Sequence, residues 1–285
     1  MPPEPLFDMM RINALKGVFM TSRENAQTPD ANQYATPKNL NARIKVHALY
    51  STNKQGWMRW VFDEIARAKG PRVLELGCGN GGLWRDNLAR VPTGWEISLT
   101  DNSEGMLKEA AANLACADHE FHFTAANAEK IPFADASYDI VIANHMLYCL
   151  EDLSKGLREI RRVLAPGGTF FASTIGENHM RELRDIVSPL APNAPFVRQN
   201  ETNSFSLENG RQQLLTHFAD VRLALYKDAL EVPAVEPLLE WLMSTKKADK
   251  MLSAKLPAIR SVLSEILAAR GRIRVTKSSG MFVAS

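Results

Sequence analysis

Glu75-Leu76-Gly77-Cys78-Gly79-Asn80-Gly81-Gly82 sets a carboxylate just ahead of a glycine turn, with Gly77, Gly79 and Gly82 in G-x-G-x-x-G spacing. Glycine lets the backbone pass close to a ligand, and a helix opening behind such a turn aims free N–H groups at it. The spacing alone is shared by NAD, FAD and other nucleotide sites. A second acid, Asp101, closes the run Glu96-Ile97-Ser98-Leu99-Thr100 and stands where a carboxylate takes both hydroxyls of a ribose. Glu75 separates the alternatives better. A carboxylate beside the turn repels a pyrophosphate, whereas a cofactor bearing an ammonium and a sulfonium favours it.

These groups need a scaffold, and strands and helices alternate around them. Arg72–Leu76, Glu96–Thr100, Glu120–Ala125, Tyr138–Ala143 and Thr169–Thr174 read as strands. Helices are expected over Leu83–Ala89, Ser103–Leu114 and Leu153–Leu164, the last stopped by Pro166-Gly167-Gly168. Such alternation predicts a doubly wound α/β fold, with ligands outside the carboxyl ends of the strands where the strand order reverses. Before this core, Leu40–Tyr50 and Gly56–Ala68 have helical patterns, with Trp57, Trp60, Val61 and Ile65 on one face. After it, Val221–Leu230 alternates like a strand, residues 234–270 are helical, and Arg272–Ala284 is strand-like with a break at Ser278-Ser279-Gly280. Three parts result: an N-terminal arm and lid (1–55), a cofactor-binding core (56–175), and a cap with the last strands (176–285).

At this point the chain resembles the class I S-adenosylmethionine-dependent methyltransferases, most strongly over residues 71–175. Glu75–Gly81 is similar to the family's first motif, and Leu99-Thr100-Asp101-Asn102-Ser103-Glu104-Gly105-Met106 to its second-strand acid with the following adenine-stacking residue. Asn127-Ala128-Glu129-Lys130-Ile131-Pro132-Phe133, Ser137–Val141 and Glu159–Gly168 resemble three further segments, in the family's order. The resemblance implies a Rossmann-like seven-stranded sheet, mostly parallel with a reversed last strand, plus a helical lid and cap insertions. It implies S-adenosyl-L-methionine as cofactor. Gly77, Gly79 and Gly81 would line its methionine half, with Glu75 orienting the ammonium and Asn144 facing the same end. Asp101 would hold the ribose, Asn102 and Met106 would flank the adenine, and Ala128 would offer the base an N–H. Asn127 departs from the family's Asp, but its amide oxygen still accepts hydrogen bonds.

Methyl transfer needs an aligned nucleophile, and a general base where the acceptor carries a proton. His145, just past the fourth strand, is the candidate base; Tyr34 in the lid is a candidate for orienting the acceptor, near Arg43, His47 and Tyr50. Trp57 and Trp60 read as core anchors, and Cys78 as a structural thiol without an activating neighbour. His119 and His122 fall on opposite faces of a strand, which argues against a metal pair.

Composition narrows the function classes. A net charge of +2 over 285 residues supports no nucleic-acid-binding face, and three scattered cysteines fit a reducing compartment. Neither a signal-peptide core nor an apolar run of about 18 residues is evident, so a cytoplasmic enzyme off the membrane is expected. A small-molecule acceptor is favoured. The competing readings are an RNA or protein methyltransferase, a non-catalytic S-adenosylmethionine-binding module, and an NAD-dependent oxidoreductase.

Overall fold

Each strand of the core puts alternate residues on opposite faces, and the sheet is built on that alternation. In β1 (Arg72–Leu76), Leu74 and Leu76 pack into one apolar cluster while Val73 packs into another across the sheet. β4 (Tyr138–Asn144) repeats the pattern, with Val141 and Ala143 on the first side and Ile140 and Ile142 on the second. Buried on both faces, these strands pair in parallel.

The computed structural model describes residues 45–197, 204–245 and 247–285, all within one compact unit. The remaining strands are β2 (Glu96–Asp101), β3 (Phe121–Ala125), β5 (Leu164–Ile175), β6 (Val221–Val232) and β7 (Ile273–Ala284). The seven-stranded sheet runs β3-β2-β1-β4-β5-β7-β6. β1 to β5 pair in parallel, and β7 is antiparallel to both its neighbours, so β6 again follows the common direction. The doubly wound sheet with a reversed last strand is therefore present. Strand order reverses between β1 and β4, which sets the glycine turn and Asn144 side by side at the crevice.

Three local readings change. The helix expected over Leu83–Ala89 stops at Arg85, followed by a single 3-10 turn at Leu88–Arg90. Buried Asn87 ends it, its amide donating to the carbonyls of Leu83 (2.7 Å) and Met58 (3.1 Å). Pro166-Gly167-Gly168 lies inside β5 rather than ahead of it: Leu164 faces Tyr138 and Thr169 faces Ile140, so the extra residues bulge. Finally, Ser278-Ser279-Gly280 does not break β7. A Cβ on Gly280 would meet the Ala224 carbonyl at 2.7 Å, so glycine there permits close strand packing.

Gly168 in the bulge carries a prediction. A Cβ there would meet the Asp139 carbonyl at 2.8 Å and the Ala165 carbonyl at 3.0 Å, and neither backbone atom can rotate away. Gly168→Ala is expected to cost about 1–3 kcal/mol. The check is a lower urea midpoint at an unchanged m-value.

Segments flanking the core strands complete the packing. Residues 45–50 are helical, and Trp57–Ile65 forms a helix rooted by fully buried Val61, Phe62 and Ile65. Helices Glu236–Met243, Ala248–Leu252 and Leu256–Arg270 cover the far end of the β6–β7 face through Leu238, Leu242, Ile259 and Leu263. Tyr34, Arg43 and the arm before them lie outside the described residues.

Candidate active site

The glycine turn is held by β2. Cys78 N–H donates to the Thr100 carbonyl (2.9 Å) and Gly79 N–H to Asp101 Oδ2 (3.0 Å). Asp101 Oδ1 accepts Ser103 N–H at 2.8 Å, so one carboxylate ties the turn to the start of the next helix, Glu104–Leu114. Gly77, Gly79 and Gly81 all have positive φ, at 66°, 55° and 73°. A Cβ on Gly77 would press on Met146 at 3.0 Å, whereas one on Gly79 would meet nothing within 4 Å. Gly79 thus borders open space, as a backbone wall against a ligand requires.

Glu75 sits on the same side of β1 as Val73, buried, with Trp84 Nε1–H donating to its Oε2 at 2.6 Å. Burial pushes its pKa up to about 7 against the opposing effect of that bond, and the Asp101 charge adds to the rise. Burial also raises the Asp101 carboxyl despite its backbone donors. Two carboxylates destabilised by lack of water flank one turn, an arrangement that rewards a cation and disfavours a pyrophosphate. Burial pushes the Cys78 thiol far up as well, consistent with a structural role.

The other expected positions divide into two groups. Met106 is buried and Asn102 exposed at the start of the helix after β2, where Ser103 Oγ caps Met106 N–H. Ala128 is buried, while Asn127 spends its amide oxygen on Glu129 N–H (2.8 Å), fixing a tight turn beyond β3. Past β4, Asn144 Oδ1 accepts from both Ser173 Oγ–H (2.7 Å) and Trp57 Nε1–H (3.2 Å). His145 follows in left-handed conformation (φ 56°), its N–H donating to Ser173 Oγ at 2.9 Å. Burial, together with the Lys277 charge, lowers its pKa to about 4, so its ring is neutral near pH 7.

Around His145 the structure gathers residues that the sequence reading does not assign to the site. Trp57 is no plain core anchor: its ring lies 4.8 Å from that of His145 and 5.2 Å from that of Tyr226. Trp60 closes the group, 5.1 Å from Trp57 and 5.2 Å from Tyr226. Lys277 Nζ stands 5.5 Å from the Tyr226 ring centre and pairs with Asp228 at 2.5 Å. His179 is a further neighbour, and burial drives its pKa well below the usual range. One signal for this cluster was present. Lys277 shares a β7 face with Ile273, Val275 and Met281, and a lysine on an apolar face demands a partner. By contrast, His119 spends its ring on the Trp95 carbonyl at 2.7 Å.

Residues 74–172 match the family described as "Methyltransferase domain", the span that carries the glycine turn, both carboxylates and the β4 loop. Over those residues the chain is similar to the methyltransferase-domain family. Malonyl-[acyl-carrier protein] O-methyltransferase of Erwinia pyrifoliae is 34% identical over 161 residues, covering 54% of this chain and 59% of that protein. Demethylmenaquinone methyltransferase of Chlorobaculum parvum is 31% identical over 136 residues, 48% of each. The chain spans about half the length of these curated relatives. Among solved structures, Haemonchus contortus phosphoethanolamine N-methyltransferase 2, in complex with S-adenosyl-L-methionine, superposes with a TM-score of 0.55 at 19% identity. That match covers 90% of this chain and 58% of the other, and it shows that the methyltransferase-domain fold extends beyond the matched span.

Proposed function

We propose that the protein is an S-adenosylmethionine-dependent methyltransferase acting on a small-molecule acceptor. The observation that carries this is the pair of carboxylates, buried Glu75 and half-buried Asp101, on either side of a turn whose Gly79 borders open space. The relatives support it: both named enzymes transfer methyl groups, and one acts on a carrier-bound malonyl group. We place the enzyme in the cytoplasm, in keeping with the absence, among the described residues, of a helix long and apolar enough to cross a membrane.

When bound, S-adenosylmethionine supplies an electrophilic methyl group on a sulfonium sulfur. Glu75 would hold the ammonium, while Gly77, Gly79 and Gly81 would give the backbone surface beside it. Asp101 takes the ribose hydroxyls, and Asn102, Met106, Asn127 and Ala128 hold the adenine. Asn144, fixed by Ser173 and Trp57, faces the methionine end. His145, kept neutral, accepts the acceptor's proton, and the Trp57–Tyr226 wall keeps water out. Residues 45–56, His179 and the β6–β7 residues Tyr226, Asp228 and Lys277 shape the acceptor side, and Tyr34 is a candidate to close it.

Calorimetric titration of the protein with S-adenosylmethionine, S-adenosylhomocysteine and NAD tests the cofactor. The first two are expected to bind and NAD is not; binding of NAD alone overturns the reading. Methyl-labelled cofactor incubated with metabolite, RNA and protein fractions then assigns the acceptor. Label in the metabolite fraction is expected, and label confined to RNA or protein corrects the acceptor class.

A further inference from the structure

One carboxylate on the acceptor side gathers an unusual number of donors. The Asp228 side chain is fully buried, and Lys277, itself only 7% exposed, donates to its Oδ2 at 2.5 Å beside the Ser51 hydroxyl. Its Oδ1 accepts Thr52 Oγ1–H (3.1 Å), Asn53 N–H (2.9 Å) and the neighbouring Ala229 N–H (2.8 Å). Backbone contacts follow the same line: Thr52 N–H donates to the Ala229 carbonyl (2.8 Å) and Asn53 Nδ2 to the Lys227 carbonyl (3.1 Å). Residues 51–53 thus form a strap across β6, held at one register by donors that converge on a single carboxylate.

A buried ion pair contributes little net stability, because desolvation offsets the attraction; its distinctive effect is to fix geometry. Here two pieces of the site hang from the strap. Upstream, the helical segment 45–50 places the His47 ring 6.1 Å from that of His179, whose Nδ1 accepts Ser278 N–H at 3.3 Å. Downstream, only Lys54, Gln55 and Gly56 separate the strap from Trp57. Gly56 has φ 82° and ψ 147°, a conformation that belongs almost wholly to glycine. With the helix rooted at Val61, Phe62 and Ile65, Trp57 is fixed from both sides against Asn144 and His145.

We infer that Asp228 is a positioning residue for the acceptor site: through the Ser51–Asn53 strap and Lys277 it holds Trp57 and His47 as the wall over His145 and His179. The inference rests on the proposed methyltransferase reading and adds to it the device that builds the acceptor side. Asp228 touches neither cofactor nor reacting atoms; it acts through the strap.

The test is the double variant Ser51→Ala with Thr52→Val, which removes the strap's side-chain donors to Asp228 and leaves the Lys277–Asp228 pair in place. Among the described residues, the charged and titratable groups around the two imidazoles are Lys277 with its partner Asp228, His47, each other, and Arg184, which donates to the His179 carbonyl at 2.9 Å. With Lys277 and Asp228 retained, a shift in titration reports the wall rather than a lost charge. Proton NMR of the imidazoles, assigned with His145→Asn and His179→Gln, is expected to show the His145 midpoint climbing by about one pH unit or more toward the solvent value. Hydrogen exchange is expected to rise in the peptides covering 45–57, and S-adenosylhomocysteine affinity to stay within about twofold, since no strap residue lines the glycine turn and Asn144 keeps its shorter bond to Ser173 when Trp57 loosens.

Unchanged midpoints alongside faster strap exchange would overturn the inference, as would a large loss of S-adenosylhomocysteine affinity. If the double variant does not fold, Ser51→Ala alone is read in the same way. Failure of wild-type protein to bind S-adenosylhomocysteine would instead sink the methyltransferase reading, while the NMR result would still decide the role of the strap.

Discussion

Replacing Glu75 by glutamine is expected to weaken S-adenosylmethionine binding by at least about 30-fold while making the protein more stable above pH 7. Both effects have one cause. The carboxylate is buried and has one side-chain donor, Trp84, so ionisation is opposed by lost hydration, and its pKa climbs from 4.5 to about 7. Between those values the folded protein holds a proton that the unfolded chain has released, so stability falls as pH rises through this window. A shift of this size corresponds to about 3 kcal/mol of destabilisation once the group is fully charged. Glutamine keeps the acceptor for Trp84 and never ionises, so the variant's melting temperature should exceed that of wild type at pH 8 and match it more closely near pH 4. Losing one partner of a buried charge–ammonium contact costs about 2 kcal/mol or more, which gives the affinity change.

The wild-type cofactor affinity carries the matching signature. The ammonium needs the ionised carboxylate, so affinity for S-adenosylhomocysteine is expected to fall as pH drops through about 7, and Glu75→Gln is expected to flatten that dependence. Calorimetry from pH 5.5 to 8.5 on both proteins supplies the measurement. A wild-type affinity independent of pH would separate Glu75 from the ammonium.

The glycine turn, Asp101 and the five core strands were legible because each is a local pattern: glycines where φ is positive, acids at strand ends, apolar runs of strand length. The β5 bulge escaped because Pro166-Gly167-Gly168 also fits a helix stop, and only pairing with β4 decides between them. Trp57 escaped for a different reason. Its spacing with Val61 and Ile65 predicts a shared face, and the helix does have one, but Trp57 lies a turn beyond its rooted end and reaches the β4 loop. The Asp228 latch joins residues 177 positions apart in the chain, and no window of sequence contains it. Even so, a lysine on the apolar face of β7 announced that a buried acid had to exist.

His145 is the residue on which turnover should depend most. Its loss is expected to slow methyl transfer by up to about 10²-fold for an acceptor that must shed a proton, the low end of the range for a positioned general base, because a pKa near 4 makes the ring a weak proton acceptor at pH 7. The informative variant is His145→Asn. At φ 56° an alanine would strain the backbone, whereas asparagine tolerates the left-handed region, so the Ser173 contact and the β4 loop should survive. Affinity for S-adenosylmethionine and its demethylated product should be unchanged, because the carboxylates and the turn are untouched. The pH dependence follows from a pKa near 4: the ring is neutral and competent throughout pH 5.5–9, so the His145 contribution to the rate should be flat there and fall only toward pH 4. A rate-limiting ionisation near 6.5 that His145→Asn removes would mean that the imidazole is solvated during turnover and that the Trp57 wall opens. An unchanged rate in single-turnover transfer would assign the proton to another group.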